Sequence, residues 1–344
     1  LWLAVAACVL GWPVWVGGFQ TYLDNPAHLA ELMSRARGEQ WCPQGFLGFP
    51  VSLLHSPWAY TLASIPVRLG VPVGLVYGAA LMAGLLAPSL ALYAVARTRV
   101  TPIQAGLVAA LMLMQPTLLH GYSSALGGMW TFYVALGLLA LVAERLCRPS
   151  RRTRTDVAML ALLCGGVVAL HAMVAVGGAV LAVCWLLTTG IWSPGRLRST
   201  LPADLAAAAL GALISASYSV PTLLAHSGVT FRQQSLPAAG VLVRLLLPTD
   251  LNVLWRQGTQ VADRLYYLDS LPMLGLAAAG LCGAWFGRSD PLVRLGMAFS
   301  ATWLLLLTCV TPFLTVDLLG PLTWRYIWMV RLGLGLAAVG VFPH

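Results

Sequence analysis

Lysine is absent from this 344-residue sequence, only 11 residues are acidic, and charged residues make up 9% of the chain. A soluble globular domain carries about a quarter of its residues as charges. Hydrophobic residues account for 59% of the chain, and the mean hydropathy is +0.82. This composition excludes a soluble globular domain and predicts a polytopic membrane protein.

The sequence also lacks metal-binding and nucleic-acid-binding motifs. Its seven cysteines are scattered without CxxC spacing, which argues against both a disulfide framework and a zinc site. The net charge of +9 comes from arginine alone, and in a membrane chain such an excess usually sets orientation. We therefore expect no nucleic-acid partner, no metal and no cofactor.

Apolar runs bounded by Arg, Pro and Gly predict an all-α bundle of about ten membrane spans. The predicted spans are 1–19, 72–96, 102–119, 126–143, 157–170, 173–190, 201–224, 271–286, 293–311 and 326–342. We interpret 1–344 as a single transmembrane domain, truncated at both ends. Two long external loops are predicted, at 20–70 and 225–270.

Segment 51–70 is apolar and long enough to span, but charge argues against it. If it crossed, the arginine-rich loop at 144–156 would lie outside the cytoplasm. If it lies along the outer surface, this loop and those around Arg97, Arg196 and Arg288 all face the cytoplasm, as the positive-inside rule requires. We therefore predict an external juxtamembrane helix at 51–70.

The first polar break, residues 19–50, is the best candidate for a site. Asn25 followed by Pro26 predicts a helix start. Asp24, His28 and Glu31 are spaced four and three residues apart, so they share one helix face and can point together at a ligand. The alternative is an amphipathic surface helix with solvated charges.

Two further polar residues interrupt apolar surroundings. His171 lies between two short predicted spans, where it is either a hydrogen-bonded structural residue or part of a site. Arg325 lies between Trp324 and Tyr326 at a predicted outer boundary. It is either an interfacial anchor or a clamp for a lipid-linked phosphate.

This pattern resembles a family. A first span, an acid just beyond it in Tyr22-Leu23-Asp24, and a surface helix opening with Ser56-Pro57-Trp58-Ala59-Tyr60 resemble the GT-C superfamily of integral-membrane glycosyltransferases. The segment from Asp24 to Leu29 resembles a bacterial and archaeal branch described as 6-pyruvoyl-tetrahydropterin synthase-related. The resemblance implies a GT-C-like fold and a polyprenyl-phosphate sugar donor. Asp24 takes the place of the catalytic acid, and Arg325 that of the Arg before a late span.

The sequence departs from the family pattern in two places. Many members carry two adjacent acids in the first loop, whereas Asn25 follows Asp24 here. A second acid that some branches carry after the third span is absent from 120–128. These departures argue against a metal-dependent reaction, because a divalent ion needs several oxygen ligands.

We therefore expect a multi-pass glycosyltransferase of the bacterial inner membrane, acting at its outer face on an unknown acceptor. Asp24 and His28 are the expected catalytic residues, while Glu31, His171 and Arg325 are expected to bind substrate. Membrane lipid and a polyprenyl-phosphate sugar are the expected partners. A transporter or lipid flippase, and a non-catalytic membrane scaffold, are the alternatives.

Overall fold

The computed structural model describes residues 25–39, 41–42, 49–50, 57–114, 129–148, 152–226, 260–307 and 326–342. In these ranges the chain forms eleven α-helices, one short 3₁₀ turn and one pair of two-residue strands. The protein is therefore all-helical, as its composition predicts.

The first two helices among the described residues are short. Helix α1 (Asn25–Arg37) is followed by β1 (Trp41–Cys42) and β2 (Phe49–Pro50), which pair antiparallel, and then by α2 (Pro57–Arg68). Helices α1 and α2 pack against each other and against α3. The 12 residues of α2 rise about 18 Å, too little to cross a hydrocarbon core of about 30 Å.

Nine helices follow, and they form the bundle. They are α3 (Val73–Arg97), α4 (Pro102–Leu113), α5 (Trp130–Cys147), α6 (Arg154–Leu170), α7 (Ala172–Trp192), α8 (Pro194–His226), α9 (Gln260–Phe286), α10 (Pro291–Leu305) and α11 (Ile327–Ala338), with the 3₁₀ turn at Val339–Val341. Helices α6 and α8, α3 and α5, and α10 and α11 make the most extensive pairs.

Close helix packing in the bundle depends on small residues. Gly296 of α10 and Gly333 of α11 face each other, and a Cβ added at Gly333 would lie 2.6 Å from the carbonyl oxygen of Gly296. Any side chain at these positions would push the two helices apart. Small residues at such crossings allow the close approach that stabilises helix pairs in a membrane.

Four helices are long and apolar enough to span a membrane. They are α3, α5, α7 and residues Pro194–Ser217 of α8. The other apolar stretches in the described ranges are 10–17 residues long: α4, Met273–Phe286 of α9, α10 and Ile327–Val341. Ten crossings therefore remain a prediction. The predicted span 1–19 lies outside the described residues, and α9 begins at Gln260, within the predicted 225–270 loop.

The four arginine-rich connections meet at one end of the bundle. Arg99, after α3, pairs with Asp290 of the α9–α10 turn at 3.1 Å. Arg152, before α6, pairs with Asp204 of α8 at 2.8 Å. Arg196, at the start of α8, donates to the carbonyl of Arg148 at 2.7 Å. We call this region, residues 97–99, 144–148, 152–156, 192–204 and 286–294, the arginine end.

The other end of the bundle carries the first polar helix. Helix α5 runs from Trp130 to the arginine end, and α6 runs back from there to His171. The start of α5 and the α6–α7 junction therefore lie opposite the arginines. Tyr60 of α2 contacts Trp130, with ring centroids 5.5 Å apart, which places α1 and α2 here too. We call α1, α2, Trp130–Tyr133 and His171 the far end.

Candidate functional site

Helix α1 buries its predicted polar face. His28, Glu31 and Ser34 are almost completely shielded, and Leu32 is buried with them. The spacing of three and four residues puts these side chains on the side of the helix that packs against α2. The predicted common face of His28 and Glu31 is thus present, but it packs inside the protein. Asp24 lies outside the described residues.

His28 is joined to α2 by a hydrogen bond. Its Nδ1 atom bonds the hydroxyl of Tyr60, which is also fully buried. The two rings are nearly parallel, at 4°, with their centroids 5.9 Å apart. Tyr60 in turn meets the Trp130 ring at an angle of 68°. A hydrogen bond therefore joins α1 to α2, and an aromatic contact joins α2 to α5.

A buried charge accompanies this link. Glu31 has no exposed surface, and Arg35 lies one turn further along α1. Burial lowers the pKa of the Arg35 guanidinium from its ordinary value, and the Glu31 carboxylate acts in the opposite direction. The carbonyl of Arg35 accepts a hydrogen bond from Arg68, the last residue of α2. The two helices are thus tied at both ends of their contact.

His171 lies on another side of α5. It occupies the extended junction between α6 and α7, and its ring meets Phe132 edge-on, with centroids 5.1 Å apart. Phe132 and Trp130 are two residues apart, and such residues point in different directions from a helix. His171 and Tyr60, the partner of His28, therefore contact the same turn of α5 but different faces of it, and His28 is set apart from His171.

Helix α11 contains a buried cation that sequence reasoning missed. Arg331 is 7% exposed, and its guanidinium lies 4.6 Å from the centre of the Trp328 ring. Trp328 also meets Tyr133 of α5 edge-on, at 4.9 Å. The sequence contained a signal for Arg331, because a charged side chain within an apolar run is costly to place in a membrane and is by default a candidate functional residue. The predicted Arg325 lies just outside the described residues.

Three chemical groups at the far end are able to move protons. A histidine and a tyrosine that share a hydrogen bond can pass a proton between them, and a buried carboxylate can serve as an acid or a base. In the described ranges no group of three or more His, Cys, Asp or Glu side chains is arranged to hold a metal ion. The chemistry that these residues suit is proton transfer and hydrogen bonding.

The fold and its apolar helices define a multi-pass helical membrane protein. No family model matches this chain, and no curated protein is significantly similar to it.

Proposed function

We propose that the protein is a GT-C-like glycosyltransferase of the bacterial inner membrane, which moves a sugar from a polyprenyl phosphate to an acceptor at the outer face. The supporting observation is the buried His28–Tyr60 hydrogen bond, which fixes the helix that begins directly after Asp24. The arginines gathered at the other end favour a cytoplasmic location for that end, and hence an external far end.

In this reaction Asp24 accepts the proton of an acceptor hydroxyl. The freed oxygen attacks the anomeric carbon of the sugar, the bond from that carbon to the lipid phosphate breaks, and the phosphate leaves with the electron pair. Arg325 holds the charge on the departing phosphate. His28 orients the acceptor, Glu31 and His171 contribute to substrate binding, and the lipid tail lies between membrane helices.

The test is transfer of labelled sugar from polyprenyl-phosphate donors by purified protein in nanodiscs. Asp24→Asn keeps the shape of the side chain but removes the base, so turnover should fall by about 10²–10⁴-fold while donor binding persists. Glu39→Gln is the control, because Glu39 is an acid just beyond the same helix, paired with Arg37 at 3.7 Å. It should leave turnover unchanged.

Equal rates for wild type and Asp24→Asn would remove the catalytic role of Asp24. Absence of transfer by wild type across a panel of donors would leave the scaffold and the transporter as explanations.

A transporter is the second candidate, and buried Arg331 favours it. Charged groups inside membrane helices commonly mark transport pathways. If the protein is a transporter, Arg331→Gln should abolish uptake of an anionic substrate into proteoliposomes, and wild type should accumulate it. Sugar transfer that survives in Arg331→Gln would instead support the enzyme.

A further inference from the structure

An open apolar groove runs along the bundle between α5, α6, α7 and α8. Its volume is about 280 Å³. Small residues create the recess, among them Ala175, Gly178 and Ala179 on α7 and Ala208 and Ala212 on α8. On α8 the lining extends from Leu201 to Ala212, which corresponds to about 16 Å of helix. The shape and the apolar lining suit a single hydrocarbon chain.

The groove ends at a cluster of hydrogen-bond donors at the arginine end. Leu146 lines the groove, and its carbonyl oxygen accepts from the Trp185 indole at 3.2 Å, from Arg152 at 3.1 Å and from Arg196 at 2.9 Å. Asp204 also lines the groove, and the Arg152 side chain pairs with its carboxylate. At Leu146, therefore, the apolar lining of the groove meets the cationic side chains of Arg152 and Arg196.

The arginine end has more arginines than its own acids can pair with. Its four acids, Glu144, Asp156, Asp204 and Asp290, each pair with an arginine. Among the residues that the structure describes, six arginines of this end have no carboxylate partner: Arg97, Arg154, Arg196, Arg198, Arg288 and Arg294. An anion bound here would reduce the repulsion among them.

Two of these six arginines share a polar notch. Arg196 and Arg294 line it together with Thr188, Thr189, Trp192 and Ser193. Arg294 lies over the Trp192 ring, 5.3 Å from its centre. Each arginine stands in or just after the first turn of its helix, where the helix dipole disfavours a cation. At α10 the N-cap Asp290 offsets this in part, but its carboxylate already pairs with Arg99.

Arg196 lines the notch and also bonds to Leu146, which lines the groove. Not all of its N–H groups are used in these contacts. One terminal nitrogen of its guanidinium serves the carbonyls of Leu146 and Arg148. Its Nε atom is buried and has no hydrogen-bond partner within the described ranges. Guanidinium groups and hydroxyls are the donors that phosphate oxygens accept from in proteins.

We propose that the groove and the notch together bind one anionic membrane lipid. One hydrocarbon chain lies in the α5–α8 groove. The notch has a volume of only about 10 Å³, room for about one water molecule, so the phosphate lies at its opening, against Arg196 and Arg294. An anionic lipid accounts for both parts of the site. A free phosphate would leave the apolar groove empty, and a neutral lipid would leave the arginines without an anion. This site is independent of the proposed glycosyl transfer, which takes place at the far end.

The test is retention of lipid by the full chain, measured by native mass spectrometry. The protein is equilibrated in detergent with equal amounts of phosphatidylglycerol and phosphatidylcholine carrying the same acyl chains. Wild type should retain one phosphatidylglycerol in preference. Arg294→Gln should lower that retention about tenfold, as expected for one charge-assisted contact. Arg288→Gln, at an exposed arginine of the preceding α9–α10 turn that does not line the notch, should change it less than twofold.

A second pair of variants tests the groove. Ala208→Leu fills it and should reduce retention of phosphatidylglycerol at least fivefold. Ala209→Leu is the control, because this neighbouring exposed residue does not line the groove. Both residues face outward from the core, so both variants should fold, and the helical circular dichroism spectrum checks this.

Four results would overturn the proposal. They are equal retention of the two lipids, equal losses in Arg294→Gln and Arg288→Gln, unchanged retention in Ala208→Leu, and complete displacement of phosphatidylglycerol by inorganic phosphate. The second would indicate general surface charge only. The last would identify a site for soluble phosphate.

Discussion

The two ends of the bundle use their charges in different ways. At the arginine end every acid pairs with an arginine, and three of these pairs join residues from different elements. At the far end His28 and Glu31 are buried against α2, among aromatic rings. The comparison shows that ion pairs join the helices at one end, whereas at the other the buried His28 is held by a hydrogen bond to Tyr60.

The largest expected effect of a single substitution is at the arginine end. Asp204→Ala should destabilise the protein by about 3–5 kcal/mol, because it leaves the Arg152 guanidinium buried without its carboxylate. The side chains of Arg152 and Asp204 are only 4% and 5% exposed. The measurement is unfolding of the purified protein in mixed detergent and SDS micelles, followed by circular dichroism.

The matched control removes both charges. Arg152→Leu combined with Asp204→Leu should be more stable than Asp204→Ala, because no unpaired charge remains. If Asp204→Ala unfolds within about 1 kcal/mol of wild type, the pair is a solvated contact and this end is not held together by its charges.

At the far end the expected effect is smaller. Tyr60→Phe should cost about 1–3 kcal/mol, because Nδ1 of buried His28 loses the Tyr60 hydroxyl. The same unfolding experiment measures it. Tyr93→Phe, at a half-buried tyrosine of α3, serves as the control and should be nearly neutral. Equal stabilities of the two variants would show that the His28–Tyr60 bond contributes nothing to holding α1 on α2.

The smallest expected effect is a loss of local stability at low pH. Hydrogen bonds from the backbone and the side chain of Thr153 hold the pKa of Asp156 below its ordinary value of 3.8, and nearby arginines act in the same direction. A depressed pKa means that Asp156 stabilises the folded state above about pH 4, and that this contribution is lost as the pH falls through the lowered value.

Amide hydrogen exchange in the first turn of α6 should therefore accelerate at pH 3, beyond its intrinsic pH dependence. Asp156→Asn should remove the additional acceleration, because an amide does not titrate. Identical pH profiles for wild type and Asp156→Asn would show that titration of Asp156 does not affect the stability of the first turn of α6 in acid.

Local features of the sequence predicted much of the helical framework. The predicted span 72–96 corresponds to α3 (Val73–Arg97), because Pro72 and Arg97 mark the two ends of one apolar run. The predicted span 157–170 lies within α6, which begins earlier, at Arg154, because Thr153 forms a capping box with Asp156. The 51–70 segment was predicted not to cross; its described part forms the 12-residue helix α2, and its position relative to the membrane stays a prediction.

Contacts between distant residues could not be predicted in the same way. Arg99 and Asp290 are 191 positions apart, and nothing local to either residue identifies its partner. The bond between His28 and Tyr60 is equally hidden, since it depends on how α2 packs. The sequence did contain a signal for Arg331, because it is a lone charged residue within an apolar run. The roles of Asp24 and Arg325 stay predictions.

The central claim is that the two ends face opposite sides of a membrane, with the arginine end in the cytoplasm. Single cysteines at Arg37 in α1 and at Arg154 in α6, both exposed positions, test it in a chain whose native cysteines are replaced. A membrane-impermeant maleimide added to intact cells should label Arg37→Cys, and should label Arg154→Cys only after the cells are permeabilised. Labelling of Arg154→Cys in intact cells, or of both positions from one side, would contradict the account.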